Sequence, residues 1–136
     1  METTWFVVAD QNHAQLFRVH GPRMRPSFEA VETIVHSQEN RATNSTSNSH
    51  LSLTDPTGSI EEEQRRFVRK LVARLRKSHH RGDFRHLYLA APANFVGHIR
   101  NLYGNALATS IRREIIGDYA HERQIRLEKR MRRWLD

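Results

Sequence analysis

Short apolar runs separated by turn-forming residues fill the first 35 positions of the chain. Residues 5–9 form an unbroken apolar run, which is typical of a central strand buried on both faces. Apolar and β-forming residues recur over 14–20 and over 27–35, and Gly21-Pro22 separates these two segments. Because the connections are short, we predict three strands in an antiparallel meander.

An amphipathic helix is predicted later in the chain. Apolar residues recur at helical spacing from Ile60 to Leu75, and Ser59 with Glu62 three residues later forms a capping-box pattern. Gly82 ends the segment. The Arg and Lys residues of this stretch lie away from the apolar positions, so we expect them to face solvent.

Two further strands and two further helices complete the pattern. Residues 86–91 indicate a buried strand, and Pro92 opens a helix that Gly104-Asn105 weakens at its end. Residues 111–116 predict the last strand, and 120–135 predict the last helix. The positions of these two elements that we expect to face inward are Ile111, Ile115, Ile116, Leu127, Met131 and Leu135.

Between the meander and the first helix, residues 36–58 are polar and rich in Asn and Ser. A loop of this length inside a compact domain is either functional or disordered, and we expect a flexible loop here.

The order β-β-β-α-β-α-β-α restricts the architecture. Each strand–helix–strand unit requires a right-handed crossover and parallel pairing. Joined to the meander, these units predict an α/β protein with a mixed five-stranded sheet and helices packed on the sheet, as in the ribonuclease H-like fold. We expect residues 1–136 to form one domain, because this length supports a core without disulfides.

The positive charge is concentrated in the helical half. The formal net charge is +7, residues 60–136 hold 18 of the 22 basic residues, and 19 of those 22 are Arg. Arg suits phosphate, so we hypothesise binding to RNA or the ribosome, without DNA sequence specificity. An acidic protein surface, an anionic membrane surface and plain solvation of helix faces are the alternatives. The candidate residues are Arg65, Arg69, Arg123, Arg126, Arg130 and Arg133.

Other features limit the cofactors and the compartment. Cysteine is absent, which excludes disulfides and thiolate sites, and the nine histidines show no zinc-site spacing. We therefore expect no cofactor and no metal. The sequence contains no signal-peptide pattern and no run of about 20 apolar residues, so we expect a cytoplasmic protein without a membrane span. The oligomeric state stays open.

The sharpest enzymatic hypothesis is a nuclease that uses two metal ions. Enzymes of this fold gather carboxylates at strand ends, and the candidates here are Asp10, Glu62 and Asp118. The predicted fourth strand, however, ends in Ala90-Ala91-Pro92, which supplies no carboxylate. Asp10 also has a simpler interpretation as a turn residue that accepts backbone hydrogen bonds. We therefore favour a non-catalytic protein and keep the nuclease as the alternative.

Several segments resemble one protein family. Residues 5–10 (WFVVAD), 14–17 (AQLF), 63–67 (EQRRF), 87–92 (LYLAAP) and 95–100 (FVGHIR) are similar to the bacterial host attachment proteins, described as required for attachment to host cells. The segment from Ala91-Pro92 to Arg100 is the most specific of these. A protein-interaction module that acts indirectly in attachment is therefore a second alternative.

The resemblance also implies a relationship to the middle domain of archaeal and eukaryotic release factors, which has the ribonuclease H-like topology. Those relatives carry a Gly-Gly-Gln tip before the long helix, and it orients water against peptidyl-tRNA. This chain has Gly58-Ser59-Ile60 there, and Gln64 falls inside the predicted helix. We therefore expect no peptide release by that chemistry.

Overall fold

The computed structural model describes residues 3–36 and 56–135, with side chains described from residue 62 onwards in the second range. In these ranges the chain forms β1 (Thr4–Ala9), β2 (His13–His20), β3 (Ser27–Val35), α1 (Pro56–Arg81), β4 (His86–Ala91), α2 (Ala93–Arg100), α3 (Gly104–Ser110), β5 (Ile111–Ile116) and α4 (Gln124–Trp134).

The strands form one mixed sheet in the order β3-β2-β1-β4-β5. β1 pairs antiparallel with β2, and β2 pairs antiparallel with β3, because short turns connect them. On its other side β1 pairs parallel with β4, and β4 pairs parallel with β5. This confirms the predicted α/β fold with its ribonuclease H-like strand order and with β1 at the centre.

Alternate residues of β1 face two separate cores. Trp5, Val7 and Ala9 lie in a cluster with the apolar residues of α1, α2 and α3, which we call the first core. Phe6 and Val8 point the other way, into a cluster that contains the buried face of α4, which we call the second core. Because successive side chains of a strand alternate between faces, the sheet separates α1 from α4.

The chain between β4 and β5 forms two helices where one was predicted. α2 begins after Pro92, as expected, and ends at Arg100. Gly104 then adopts a positive φ of 75°, which glycine reaches without steric cost. The turn returns Leu107 to the first core, where it is 1% exposed, so a second short helix is favourable.

The start of α1 also differs from the prediction. The helix begins at Pro56, so Ser59 lies inside it and is not its cap, and Pro56–Gly58 belongs to a helix rather than to the predicted loop. Proline is compatible with a first helical turn because that turn's N–H groups have no intrahelical acceptor. The rest of the predicted loop, 37–55, lies outside the described residues.

The predictions for β5 and α4 need two corrections, one to a residue expected to face inward and one to the start of the helix. Ile115 is 7% exposed and lies in the cluster beside α4, whereas its neighbour Ile116, the last residue of the outer strand β5, is 53% exposed. α4 begins at Gln124 rather than near 120, and it buries Trp134 with the predicted Leu127 and Met131.

α4 is also tied to the outer strand of the sheet. The backbone N–H of Phe28 in β3 donates to Glu128 Oε2 at 2.6 Å, and Gln124 Nε2 donates to the Phe28 carbonyl at 2.9 Å. These bonds satisfy backbone groups of a strand that lies at the edge of the described sheet.

Candidate nucleic-acid interface

Asp10 caps the turn between β1 and β2. Its Oδ1 accepts hydrogen bonds from the backbone N–H groups of Asn12 at 2.8 Å and His13 at 2.9 Å, and its own N–H donates to the His13 carbonyl at 3.0 Å. The side chain is largely buried. This is the turn role that the sequence offered as the simpler interpretation of Asp10.

Two histidines complete the surroundings of Asp10. His13 Nδ1 lies 3.3 Å from Oδ1, and His121 Nε2 lies 3.4 Å from Oδ2. His121 belongs to the segment between β5 and α4, so this contact links that segment to the β1–β2 turn. No sequence pattern indicates this pairing, because the two histidines are 108 positions apart.

The three candidate nuclease ligands do not form a metal site. Glu62 lies on the exposed side of α1 beside three arginines, and Asp118 is exposed after β5. Within the described residues, no group of three or more His, Asp or Glu side chains is arranged to hold a metal ion. In this part of the chain Asp10 therefore has no partner carboxylates for two-metal chemistry.

α4 is amphipathic, and its outward face is cationic. Leu127, Met131 and Trp134 anchor the helix in the second core. The opposite side carries basic residues that border an open groove, namely Arg126, Lys129, Arg130, Arg132 and Arg133. Arg123 is exposed just before the first turn. The spacing of the apolar residues thus fixes which side of the helix faces the core, and the basic residues on the other side therefore face solvent.

One of these arginines is held by intramolecular contacts. Arg130 donates to both carboxylate oxygens of Glu122 at 2.6 and 2.7 Å, and its guanidinium lies 4.9 Å from the centre of the Tyr119 ring. The hydrogen bond from Arg130 holds the pKa of Glu122 below its usual range. Arg130 therefore contributes to the structure of the segment before α4.

The other basic residues of the groove are not paired in this way. Among the described side chains, no ion pair engages Arg126, Lys129, Arg132 or Arg133. We call these four residues the α4 cationic face. Their side chains are exposed, so their charges are available to an anionic partner.

The α1 candidates differ in position and in surroundings. Glu62 Oε1 lies 3.7 Å from Arg69 and 3.9 Å from Arg66, and Glu62 Oε2 lies 3.9 Å from Arg65. The carboxylate offsets part of this positive charge. Because α1 and α4 cover opposite faces of the sheet, the six predicted arginines form two surfaces rather than one.

The sequence did not predict a partly buried polar network that joins β5 to α2 and to Tyr103. Glu114 accepts hydrogen bonds from Arg100 of α2 and, at 2.9 Å, from the Tyr103 hydroxyl. The hydrogen bond from Arg100 is the main reason that the pKa of Glu114 falls below its usual range, and burial opposes it. Burial first, and then the bond to Glu114, raise the pKa of Tyr103.

Comparison with known protein families gives a match over residues 5–131, to the family described as protein required for attachment to host cells. The chain belongs to this family. The match confirms the resemblance predicted from the segments of β1, α1, β4 and α2. No curated protein matches the sequence of this host attachment family member.

One solved structure supports the fold of the family member. A crystal structure of an archaeal translation termination factor superposes with a TM-score of 0.51 at 12% identity, covering 96% of this chain and 37% of that one. The chain therefore corresponds to little more than a third of that factor, and at this identity the likeness shows the fold alone. A second structure, described as an archaeal protein, gives a TM-score of 0.46 at 10% identity, covering 96% and 36%.

Among the described helices of this host attachment protein, none is long and apolar enough to cross a bilayer.

Proposed function

We propose that this host attachment family member is a non-catalytic protein that binds RNA phosphates, most directly ribosomal RNA, through the α4 cationic face. The observation that carries the proposal is a row of exposed cations, unpaired among the described side chains, on a helix whose other side is fixed in the core. Such a partner would place the protein in the cytoplasm. The fold shared with a translation termination factor makes the ribosome the first partner to test.

The spacing of the cations suits a phosphate chain. Arg126 and Arg133 are seven residues apart, which is about 10 Å along a helix. Lys129 lies between them, so successive cations are separated by about 5 Å of helix. A row of this kind neutralises phosphates and reads no base edges, so the expected binding has little sequence preference.

A salt titration tests the nature of the contact. If four phosphates of a single strand are neutralised, the logarithm of the association constant should fall with the logarithm of salt concentration at a slope of about −3. Binding of a fluorescent RNA oligonucleotide, followed by anisotropy across a salt series, measures this slope. Absence of binding at low salt would contradict the proposal.

Charge reversal on α4, compared with charge reversal on α1, tests whether RNA binds at the α4 cationic face. Arg126→Glu with Arg133→Glu should weaken binding by at least about tenfold, because two charge-assisted contacts become repulsive. Lys70→Glu with Lys77→Glu is the matched control, since the same seven-residue spacing lies on α1, across the sheet. Both double variants lower the formal net charge from +7 to +3. Equal weakening by the two variants would show that net charge, rather than the α4 cationic face, determines binding.

The alternatives have less support. The nuclease hypothesis requires Asp10 to bind metal, yet this carboxylate accepts two backbone hydrogen bonds, and Glu62 and Asp118 form no metal-holding group with it. An interaction module would use exposed apolar residues, and Ile116 and Ile125 are such residues. Co-sedimentation with ribosomes at low and high salt separates an RNA partner, which salt releases, from an apolar protein contact, which salt does not release.

A further inference from the structure

The hairpin that joins β2 to β3 ends in a loop over residues 21–26. Arg23, Met24 and Arg25 follow one another in this loop, and all three side chains are exposed. Met24 is 70% exposed, more than any other large apolar side chain among the described residues. We call these three residues the hairpin tip, which combines two positive charges with one apolar side chain.

The backbone of the loop is held in a defined conformation. The N–H of Arg25 donates to the Pro22 carbonyl at 2.9 Å and closes a tight turn. Gly21 adopts a φ of 85°, and a Cβ atom there would lie 2.9 Å from the Arg25 carbonyl oxygen, so glycine is the residue that fits this position. Pro26 is buried and anchors the other end of the loop. Because the hairpin tip is preorganised, binding a ligand there costs little backbone entropy.

The charges of the hairpin tip are not neutralised by nearby carboxylates. Among the described side chains, no ion pair and no hydrogen bond engages Arg23 or Arg25. The nearest carboxylate along the chain belongs to Glu29, whose Oε1 lies 2.6 Å from His20 Nε2 and 3.8 Å from Arg18 Nη1. Glu29 is therefore engaged by its neighbours on β2, and both arginines of the hairpin tip are available to an anionic partner.

The hairpin tip lies close to the start of α4. Both backbone groups of Phe28 bond to α4, the N–H to Glu128, which is the one carboxylate of this helix, and the carbonyl to Gln124. Arg25 precedes Phe28 by three residues, so at most about 11 Å of extended chain separates the two. Arg123 is exposed just before α4, and the first turn of the helix holds no acidic residue. Cationic side chains therefore continue from the hairpin tip, past the start of α4, to the α4 cationic face.

Apolar side chains accompany these cations. Met24 lies in the hairpin tip, and Ile125, in the first turn of α4, is 61% exposed. A single-stranded nucleic acid matches this combination, since it presents phosphates to cations and unstacked bases to apolar side chains. An anionic membrane matches it less well, because the interfacial elements that bind membranes carry a broad apolar face. The combination of cations and apolar residues thus favours a single strand of RNA.

We infer that the hairpin tip is a second contact for the RNA strand that the α4 cationic face binds. Arg23 and Arg25 hold phosphates beyond the start of α4, and Met24 packs against the face of a base. The inference rests on the proposed function of the α4 cationic face and specifies its ligand. Bases that are paired and stacked in a duplex do not offer their faces, so the ligand is a single-stranded segment that covers both surfaces.

Methyl NMR of methionine tests the base contact in the full chain. Titration with an oligouridylate of about twelve nucleotides should shift the ¹H–¹³C methyl resonance of Met24 saturably, whereas the fully buried Met131 should shift far less. Inorganic polyphosphate has no bases, so it should shift Met24 at least about fivefold less than the RNA does. RNA that binds without moving the Met24 resonance would overturn the inference. An equal shift from polyglutamate would also overturn it, because the hairpin tip would then suit an acidic protein surface.

Variants test the phosphate contacts. Arg23→Gln with Arg25→Gln should weaken binding of the same oligonucleotide by at least about tenfold, since two charge-assisted contacts are lost. With two fewer phosphates neutralised, the salt dependence should also become shallower, by about 1.4 in the slope. Lys70→Gln with Lys77→Gln on α1 is the matched control, because each double variant removes two positive charges from exposed positions and lowers the formal net charge from +7 to +5. Unchanged binding in the first variant, or equal weakening in both, would overturn the inference.

RNA length separates this inference from the proposed function. An oligonucleotide of about four nucleotides covers the α4 cationic face alone, so the hairpin-tip variant should bind it as the native protein does. If long RNA requires Arg126 and Arg133 but not the hairpin tip, the inference fails and the proposed function stands. If long RNA requires the hairpin tip but not α4, the location given in the proposed function is wrong. Absence of RNA binding at low salt would overturn both.

Discussion

Asp10 illustrates how one carboxylate can fit two different interpretations. Its place at the end of β1 is where a nuclease of this fold would hold a metal ligand, and it is also where a tight turn needs an acceptor. The hydrogen bonds to the N–H groups of Asn12 and His13 support the second role. The sequence predicted the position of Asp10, whereas its neighbour His121 follows only from the fold.

Substitution of Asp10 separates the contribution of the acceptor from that of the charge. Asp10→Asn should retain most of the stability, because asparagine and aspartate accept backbone hydrogen bonds about equally well. Asp10→Ala should lower the free energy of unfolding by about 1–3 kcal/mol, since two backbone N–H groups of the turn lose their charged acceptor. Urea denaturation measures both. Equal losses in the two variants would instead assign the effect to the negative charge beside His13 and His121.

At the scale of elements, the strands were the most predictable part. The predicted bounds of β3 and β4 match the structure because breakers or polar residues flank each run. The second helix of the β4–β5 connection was missed, since Gly104 was interpreted as a stop and its positive φ also permits a restart. Ile116 was placed inward on hydrophobicity alone, whereas in the structure it is the last residue of an outer strand and is 53% exposed.

The network that joins α2 to β5 predicts a pH effect. The folded-state pKa of Glu114 is lowered, chiefly by Arg100, so ionised Glu114 stabilises the fold above the pKa of the unfolded chain, about 4.3. This stability is lost as pH falls through the lower folded-state pKa. Glu114→Gln should therefore gain less stability than the native protein as pH rises from about 3 to about 6, as measured by urea denaturation across that pH series. Parallel pH profiles for the two proteins would contradict this role.

At the scale of the whole molecule, the sheet divides the protein into two layers with separate cores. The composition predicted a basic helical half, but it could not show that α1 and α4 lie on opposite faces. That arrangement depends on contacts between distant residues, such as the bond between Phe28 and Glu128, which are 100 positions apart. The charge of Arg130 was likewise counted as available, whereas Glu122 and Tyr119 hold it.

Three buried side chains of α4 hold the helix against the sheet, so shortening one of them should lower the stability of the fold strongly. Met131 is fully buried where α4 meets the sheet. Met131→Ala should lower the free energy of unfolding by about 2–5 kcal/mol through the cavity it leaves. Urea denaturation measures the loss, and amide hydrogen exchange should show α4 opening before the first layer. A loss well below about 1 kcal/mol would mean that the second core relaxes around the shorter side chain.

The bonds from α4 to Phe28 have a consequence for self-association. An outer strand normally offers its free backbone groups as a template on which another chain can add a strand and begin to aggregate. At Phe28 both groups are already occupied by Gln124 and Glu128, so an incoming strand would first have to displace these side chains. The helix that carries the cations therefore also hinders edge-to-edge polymerisation at this position of the outer strand.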